Sequence, residues 1–262
     1  MTKSHKLITN SILVLAFLFF NSCVSLKNND PDKKRAAELK LEIATGMIKS
    51  ENYPGAMREL LSAEEDDPNN ATLHHLFGLV YRARDRYELA EKHFLKALSI
   101  NKDYTEARNS LAFLYIETGR LNKAEEQLNI ALNDLTYSDY HKTYVNWGHL
   151  EFKRKDFVKA EQFFKKALQK DRENCPTHVM LGRSLLEAQE LETALEQFER
   201  AMIFCGVTSD DSAHYFSAVT LYRKKDVEKS ITRFEETIKL FPQGKNSEKS
   251  RKMISLIKGE NR

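Results

Sequence analysis

The sequence predicts an all-α chain, a solenoid of stacked helical hairpins, and three observations carry that prediction. A small residue recurs as Ala44, Gly78, Ala112, Gly148, Gly182 and Ala218, at spacings of 34, 34, 36, 34 and 36. In the same rhythm, Ala56, Ala90, Ala124, Ala160, Ala194 and Ser230 follow twelve positions later, and Ala63, Ala97, Ala131, Ala167, Ala201 and Thr237 seven beyond those. Between the last two series a bulky residue returns as Leu60, Phe94, Leu128, Phe164, Phe198 and Phe234. Self-similarity at a fixed period marks a repeat architecture, in which each unit buries its apolar face only by stacking on its neighbours. Finally, 9 Gly and 5 Pro in 262 residues are few for a fold rich in tight turns.

Along the chain, residues 1–22 read first as an export signal: Lys3, His5 and Lys6 precede an apolar run from Ile12 to Phe20. That run is far shorter than the ~20 residues of a membrane-spanning helix. Cys23 stands where the run stops. Either a peptidase cuts nearby and the cysteine is incidental, or Cys23 is the acylated residue of a bacterial lipoprotein signal, which this stretch resembles, with Ser22 as the small residue before it. The segment that follows, VSLKNNDPDKK, is polar and without hydrophobic period, as a tether over residues 23–36 would be. It favours the lipid anchor.

Six repeats then occupy 37–70, 71–104, 105–140, 141–174, 175–210 and 211–242. Gly or Ala at the crossing points lets paired helices approach closely, while Leu and Phe fill the gap between layers. The two longer repeats take their extra residues near Leu135–Tyr140 and Gly206–Asp210, in turns between repeats, where added length is tolerated. Residues 243–262 supply a capping helix with Met253, Ile254 and Ile257 on one face and Lys and Ser opposite.

Catalytic and ligand chemistry finds no footing. The net charge of +3 comes from 41 basic and 38 acidic residues, well mixed, and gives no reason to invoke nucleic acid. Among 8 histidines, His74, His178 and His214 share one repeat position, the fourth of the first helix, which packing explains. No H-E-x-x-H or Cys/His ligand cluster, glycine-rich phosphate loop or G-x-S-x-G elbow is present. Glu64–Glu65–Asp66–Asp67 reads as a solvated turn. We therefore expect no enzyme, no metal, no cofactor and no small-molecule substrate. Cys175 and Cys205 open and close the hairpin of repeat five, at one edge of the solenoid. They are either two unpaired thiols or a disulfide, and an oxidising compartment favours the bridge.

The repeat pattern resembles the tetratricopeptide repeat (TPR) family, a helix–turn–helix of 34 residues stacked into a right-handed superhelix. The small, aromatic and alanine positions all map, and Pro68 and Pro242 fall where that family closes a repeat. Repeat two, ATLHHLFGLVYRARDRYELAEKHFLKALSINKDY, follows the pattern closely except for Lys102 at the closing proline. The resemblance implies a concave binding wall formed by the second, fifth, ninth, twelfth and thirteenth positions of each first helix. Here these bring His75, Leu79, Arg82, Asn109, Phe113, Ile116, Val145, His149, Phe152, Val179, Arg183 and Leu186, with Tyr215, Val219 and Tyr222 from repeat six. So apolar and aromatic a water-facing wall implies a bound peptide or helix. Leu41 and Thr45 stand where a chaperone-type dicarboxylate clamp needs Lys and Asn, which disfavours that partner class.

An acylated cysteine, a short tether and six repeats together resemble the type IV pilus biogenesis lipoproteins of the PilF, PilW and Tgl kind. The stretches ALNDLTYSDYHKTYVNWGHLEF and NCPTHVMLGRSLLEAQELETALEQF carry the closest likeness. That resemblance implies a pilotin: a lipid-anchored protein on the periplasmic face of the outer membrane that binds a secretin subunit and helps the secretin pore assemble. Val24, in place of Asp, agrees with outer-membrane sorting. Another reading within the binding class is an envelope TPR adaptor docking cell-wall hydrolases or outer-membrane assembly factors. A cytoplasmic scaffold would require the export signal to be spurious, and a transferase with a TPR arm leaves no residues for a catalytic domain.

Overall fold

The computed structural model describes residues 30–206 and 210–259. Residues 1–22, read from the sequence as an export signal, and Cys23 lie outside the described residues. Within them are thirteen helices and no strand: α1 (Pro31–Lys49), α2 (Tyr53–Asp66), α3 (Ala71–Ala83), α4 (Tyr87–Ile100), α5 (Thr105–Glu117), α6 (Leu121–Leu132), α7 (Tyr140–Lys153), α8 (Phe157–Lys170), α9 (Cys175–Glu187), α10 (Leu191–Cys205), α11 (Ser212–Arg223), α12 (Val227–Leu240) and α13 (Ser247–Lys258). The chain is an all-α TPR solenoid. It divides into two compact units, the first ending at Leu76 and the second starting at Phe77, inside α3.

In the first unit α1 packs along α2, with Leu41, Ala44, Ala56, Leu60 and Ala63 buried between them. Helix α1 starts at Pro31, inside the segment read from sequence as tether. The reason is local: the Asp30 carboxylate accepts a hydrogen bond from Asp32 N at 3.0 Å, and Pro31 occupies the first turn, where its missing N–H costs nothing. Lys40 Nζ reaches Asp66 Oδ2 at 2.6 Å and ties the open end of the hairpin.

In the second unit every helix from α4 to α12 packs on the helix that follows it, and the first helices of neighbouring hairpins, α5, α7, α9 and α11, pack in turn on one another. The interior of a hairpin is a close approach set by one pair of residues. A Cβ added at Gly148 would stand 2.5 Å from the Phe164 ring, and one at Gly182 would stand 2.6 Å from Phe198. Gly78 meets Phe94 in the same way. Where the third hairpin carries Ala112 instead of glycine, the facing residue is the smaller Leu128, and both are fully buried. Volume is thus conserved pairwise across the crossing point, as close packing demands. The sixth hairpin departs, pairing Ala218 with Phe234; there Ser230 replaces alanine and donates to the Ala218 carbonyl at 3.0 Å.

Each hairpin turns through one left-handed residue: Glu51, Asp85, Gly119, Lys155, Gln189 and Lys225, with φ between 57° and 74°. The next residue donates its N–H back to the closing turn of the first helix, as in Arg120 N to Tyr115 O at 2.8 Å and Asp156 N to Glu151 O at 3.0 Å. This is the Schellman arrangement, whose left-handed position favours glycine, yet only the third hairpin uses one. Neighbouring hairpins are also clamped by charge: Arg120 to Glu91 at 2.6 Å, Arg154 to Glu125 at 2.6 Å and Lys224 to Glu192 at 2.5 Å.

The fifth hairpin is closed covalently. Cys175 and Cys205 form a disulfide, with Cα atoms 5.3 Å apart. Beyond α12, the cap α13 is fixed by a buried Asp211, whose carboxylate accepts from Asn246 N and Asn246 Nδ2, both at 2.6 Å. Met253, Ile254 and Ile257 are partly buried, and α13 packs on α12.

Candidate functional site

The wall to be tested is the row of first helices in the second unit, α5, α7, α9 and α11, together with the end of α3. Their fifth, ninth and twelfth repeat positions do not share one environment. Leu79, Arg82, Phe113, Val145, His149, Phe152, Arg183, Tyr215 and Val219 are half-buried, and Tyr222 is exposed. By contrast Asn109, Ile116, Val179 and Leu186 are buried. Those four correct the sequence reading. Neighbouring first helices pack so closely that their seams swallow these positions, so they support the wall without forming its surface. Asn109 shows how: its Nδ2 donates to Thr143 Oγ1 at 3.0 Å on α7, and its carbonyl accepts from Asn146 Nδ2 at 3.0 Å. His75 belongs to the first unit, where it is half-buried and burial lowers its pKa to about 4.

The surface that remains is a chain of rings and cations. The Arg82 guanidinium lies 5.0 Å from the centre of the Phe113 ring and bonds Glu117 at 3.2 Å. Phe113 meets His149 edge to face at 5.5 Å, and His149 meets Phe164 in the same manner, also at 5.5 Å. Phe152 packs against Phe157 with centroids 5.4 Å apart. Arg183 lies between two phenyl rings, 5.0 Å from Phe152 on α7 and 4.7 Å from Phe216 on α11. A guanidinium over an aromatic face is held by the ring quadrupole, and more strongly so when partly removed from water.

Electrostatics follow from this burial. Desolvation lowers the His149 pKa from 6.5 to about 4, with Arg183 and then Lys153 adding repulsion, so the imidazole is neutral at pH 7. Burial also lowers the Arg183 pKa from its usual value, opposed by the carboxylate of Glu187 on the same helix. Two residues outside the sequence-derived set matter here. Phe216 occupies the sixth position of its repeat, beside Tyr215, and Lys153 the thirteenth of its own. The alternation of rings and cations in YHKTYVNWGHLEFK and SAHYFSAVTLYR hints at the first, but only the packing of α9 between α7 and α11 brings Phe216 to Arg183.

Among the described residues no group of three His, Cys, Asp or Glu side chains is placed to hold a metal ion. Nor is any helix there long and apolar enough to cross a membrane. The wall offers apolar contact, ring faces and positive charge.

The tetratricopeptide repeat family matches residues 81–142. The type IV pilus assembly protein PilF of Pseudomonas aeruginosa is 22% identical over 194 residues, covering 72% of this chain and 77% of that protein. In three dimensions the structure of Pseudomonas aeruginosa PilF superposes with a TM-score of 0.68 at 18% identity, over 85% of this chain and 99% of that one. PilW, a widely conserved type IV pilus biogenesis factor, superposes with a TM-score of 0.72 at 19% identity, over 81% and 97%. The chain thus carries TPR repeats, is homologous to PilF, and shares its fold with the structures of PilF and PilW.

Proposed function

Starting from a TPR protein related to PilF and PilW, we infer that this chain is a non-enzymatic scaffold lipoprotein of type IV pilus biogenesis. It is held on the periplasmic face of the outer membrane by acyl chains on Cys23. Its concave wall binds a segment of a secretin subunit and promotes secretin assembly. The observation that carries the reading is the wall itself. Phe113, His149, Phe152 and Arg183 set half-buried rings and a half-buried cation at positions whose counterparts in other hairpins hold different residues, so stacking alone does not demand them. Homology to PilF supplies the biological setting.

Two experiments test the reading. Phe113→Ser with Phe152→Ser removes two aromatic anchors, and such anchors are worth ~2 kcal/mol or more in binding. In cells the double variant should stay folded yet yield few heat-resistant secretin multimers, whereas Gly148→Leu should lose both fold and multimers. Normal multimers with a folded double variant would put the partner elsewhere. For the anchor, Cys23→Ser should leave the membrane fraction, since stable attachment takes more than one acyl chain on that residue. Unchanged fractionation and mass would refute it.

A further inference from the structure

The charges along the wall are not spread evenly. At one end Arg82 is neutralised by Glu117 at 3.2 Å. At the other Arg223 bonds Glu187 at 3.3 Å and also donates to the Leu186 carbonyl at 3.1 Å. Between these two pairs stand Lys153 and Arg183, and among the described residues neither has a carboxylate within ion-pair distance. Arg183 is the more informative. Its Nη1 donates to Met180 Sδ at 3.3 Å, a weak acceptor, and two phenyl rings lie within 5.0 Å of its guanidinium carbon. A half-buried guanidinium loses hydration, and ring faces and a thioether replace only part of it. Glu187, the carboxylate whose charge acts on it, is engaged by Arg223. The acid nearby on α7, Glu151, is buried and bonds Arg154 at 3.1 Å. His149 adds no negative charge, and Lys153 adds a positive one.

The geometry points to Arg183 as a carboxylate-binding subsite: the wall selects a partner segment that sets an Asp, Glu or terminal carboxylate on Arg183, with apolar side chains lying along Phe113 and Phe152. This rests on the groove-binding reading above and narrows it to a peptide of stated chemistry. The Phe152 and Phe216 rings crowd the guanidinium from α7 and α11 and limit its motion before a ligand arrives, and a charge-assisted pair in such a setting is stronger than a neutral hydrogen bond. Complementarity also argues against self-occupancy by the leading segment. Residues 1–29 contain Lys3, Lys6 and Lys27 and no Asp or Glu, so that stretch brings positive charge to a positive wall.

The test is an array of overlapping peptides covering the secretin encoded in the same genome. Each peptide is present as the natural sequence and with Asp and Glu changed to Asn and Gln. Full-length protein purified in detergent is the probe, and the best pair is then titrated in solution by fluorescence anisotropy. The natural peptide should bind about tenfold more tightly than its neutralised twin, the scale of one charge-assisted hydrogen bond. In Arg183→Gln the two should bind alike at the weaker level, while Arg183→Lys keeps part of the preference and Lys159→Gln, an exposed cation on α8 away from the wall, keeps all of it. Should Arg183→Gln fail to fold, the comparison of twins on the unaltered protein still decides. Equal binding of the twins, or a preference that survives in Arg183→Gln, overturns the carboxylate subsite and leaves groove binding standing. If no peptide binds, or if Phe113→Ser with Phe152→Ser binds as before, groove binding itself falls.

Discussion

Inside the hairpins Gly148 meets Phe164 and Gly182 meets Phe198 in the same way. On the wall, one position of successive first helices is Leu79, Phe113, His149, Arg183 and Val219. Both sets lie on the same helices, one residue apart. The eighth position faces the hairpin partner and must be small, because a Cβ added at Gly78, Gly148 or Gly182 would stand 2.4 to 2.6 Å from the opposing ring. The ninth faces outward and is free of that constraint, so its identity drifts from apolar to aromatic to cationic. Periodicity thus marks what stacking requires, and its local loss marks where another requirement has entered.

The contrast is broken most severely from the interior. Phe164→Ala should cost roughly 3–5 kcal/mol, since the ring is fully buried and the Gly148 backbone cannot move in to fill the space; chemical denaturation reads the loss. A change near zero would mean that the hairpins tolerate voids at their crossing points. Opening the disulfide comes next. Cys175→Ser with Cys205→Ser should cost about 3 to 4 kcal/mol in the chain-entropy account, for a bridge spanning 30 residues. Two reactive thiols in protein from an oxidising compartment would instead mean that the bridge does not form there. Gly148→Ala should cost about 1–3 kcal/mol through overpacking against Phe164, whereas His149→Ala, one residue on, should cost less.

Smaller effects sharpen the same picture. The six left-handed turn residues have equivalent backbone, so Gly119→Ala should destabilise by roughly 1 kcal/mol and Lys155→Gly should stabilise by a comparable amount. Equal signs for the two would remove strain as the explanation. Acid acts last. His149 has a folded pKa depressed below its unfolded value, so the stability linked to its neutral form is complete above pH 6.5 and is lost as pH falls toward about 4. His149→Gln should flatten the part of that slope which His149 contributes, seen by following the melting temperature from pH 7 to pH 4.

Much of this was legible in the sequence, for reasons that particular residues make plain. A small residue facing a bulky one returns in every hairpin, as Gly and Phe in three of them and as Ala with Leu or Phe in the others, because each hairpin closes on the same kind of contact. The turns were not legible in detail: Glu51, Asp85, Lys155, Gln189 and Lys225 adopt a conformation that favours glycine, held there by the Schellman hydrogen bonds and not by their own preference. The wall was legible as a set of positions, but Ile116, Val179 and Leu186 proved buried, since position alone does not say how closely neighbouring first helices press together. The Arg183 site needed Phe216 from the next repeat, at a position outside the usual wall. The anchor of the cap joins Asp211 to Asn246 across 35 residues, beyond the reach of any local pattern.

The central claim is that the partner lies along the first helices and not on the outer, second ones. Amide hydrogen exchange of the full-length protein, with and without purified secretin, tests it most directly. Added secretin should slow exchange in α5, α7 and α9, most of all around Phe113, Phe152 and Arg183, and leave α6, α8 and α10 nearly unchanged. Protection confined to α6, α8 and α10, with the first helices exchanging as before, would contradict the account.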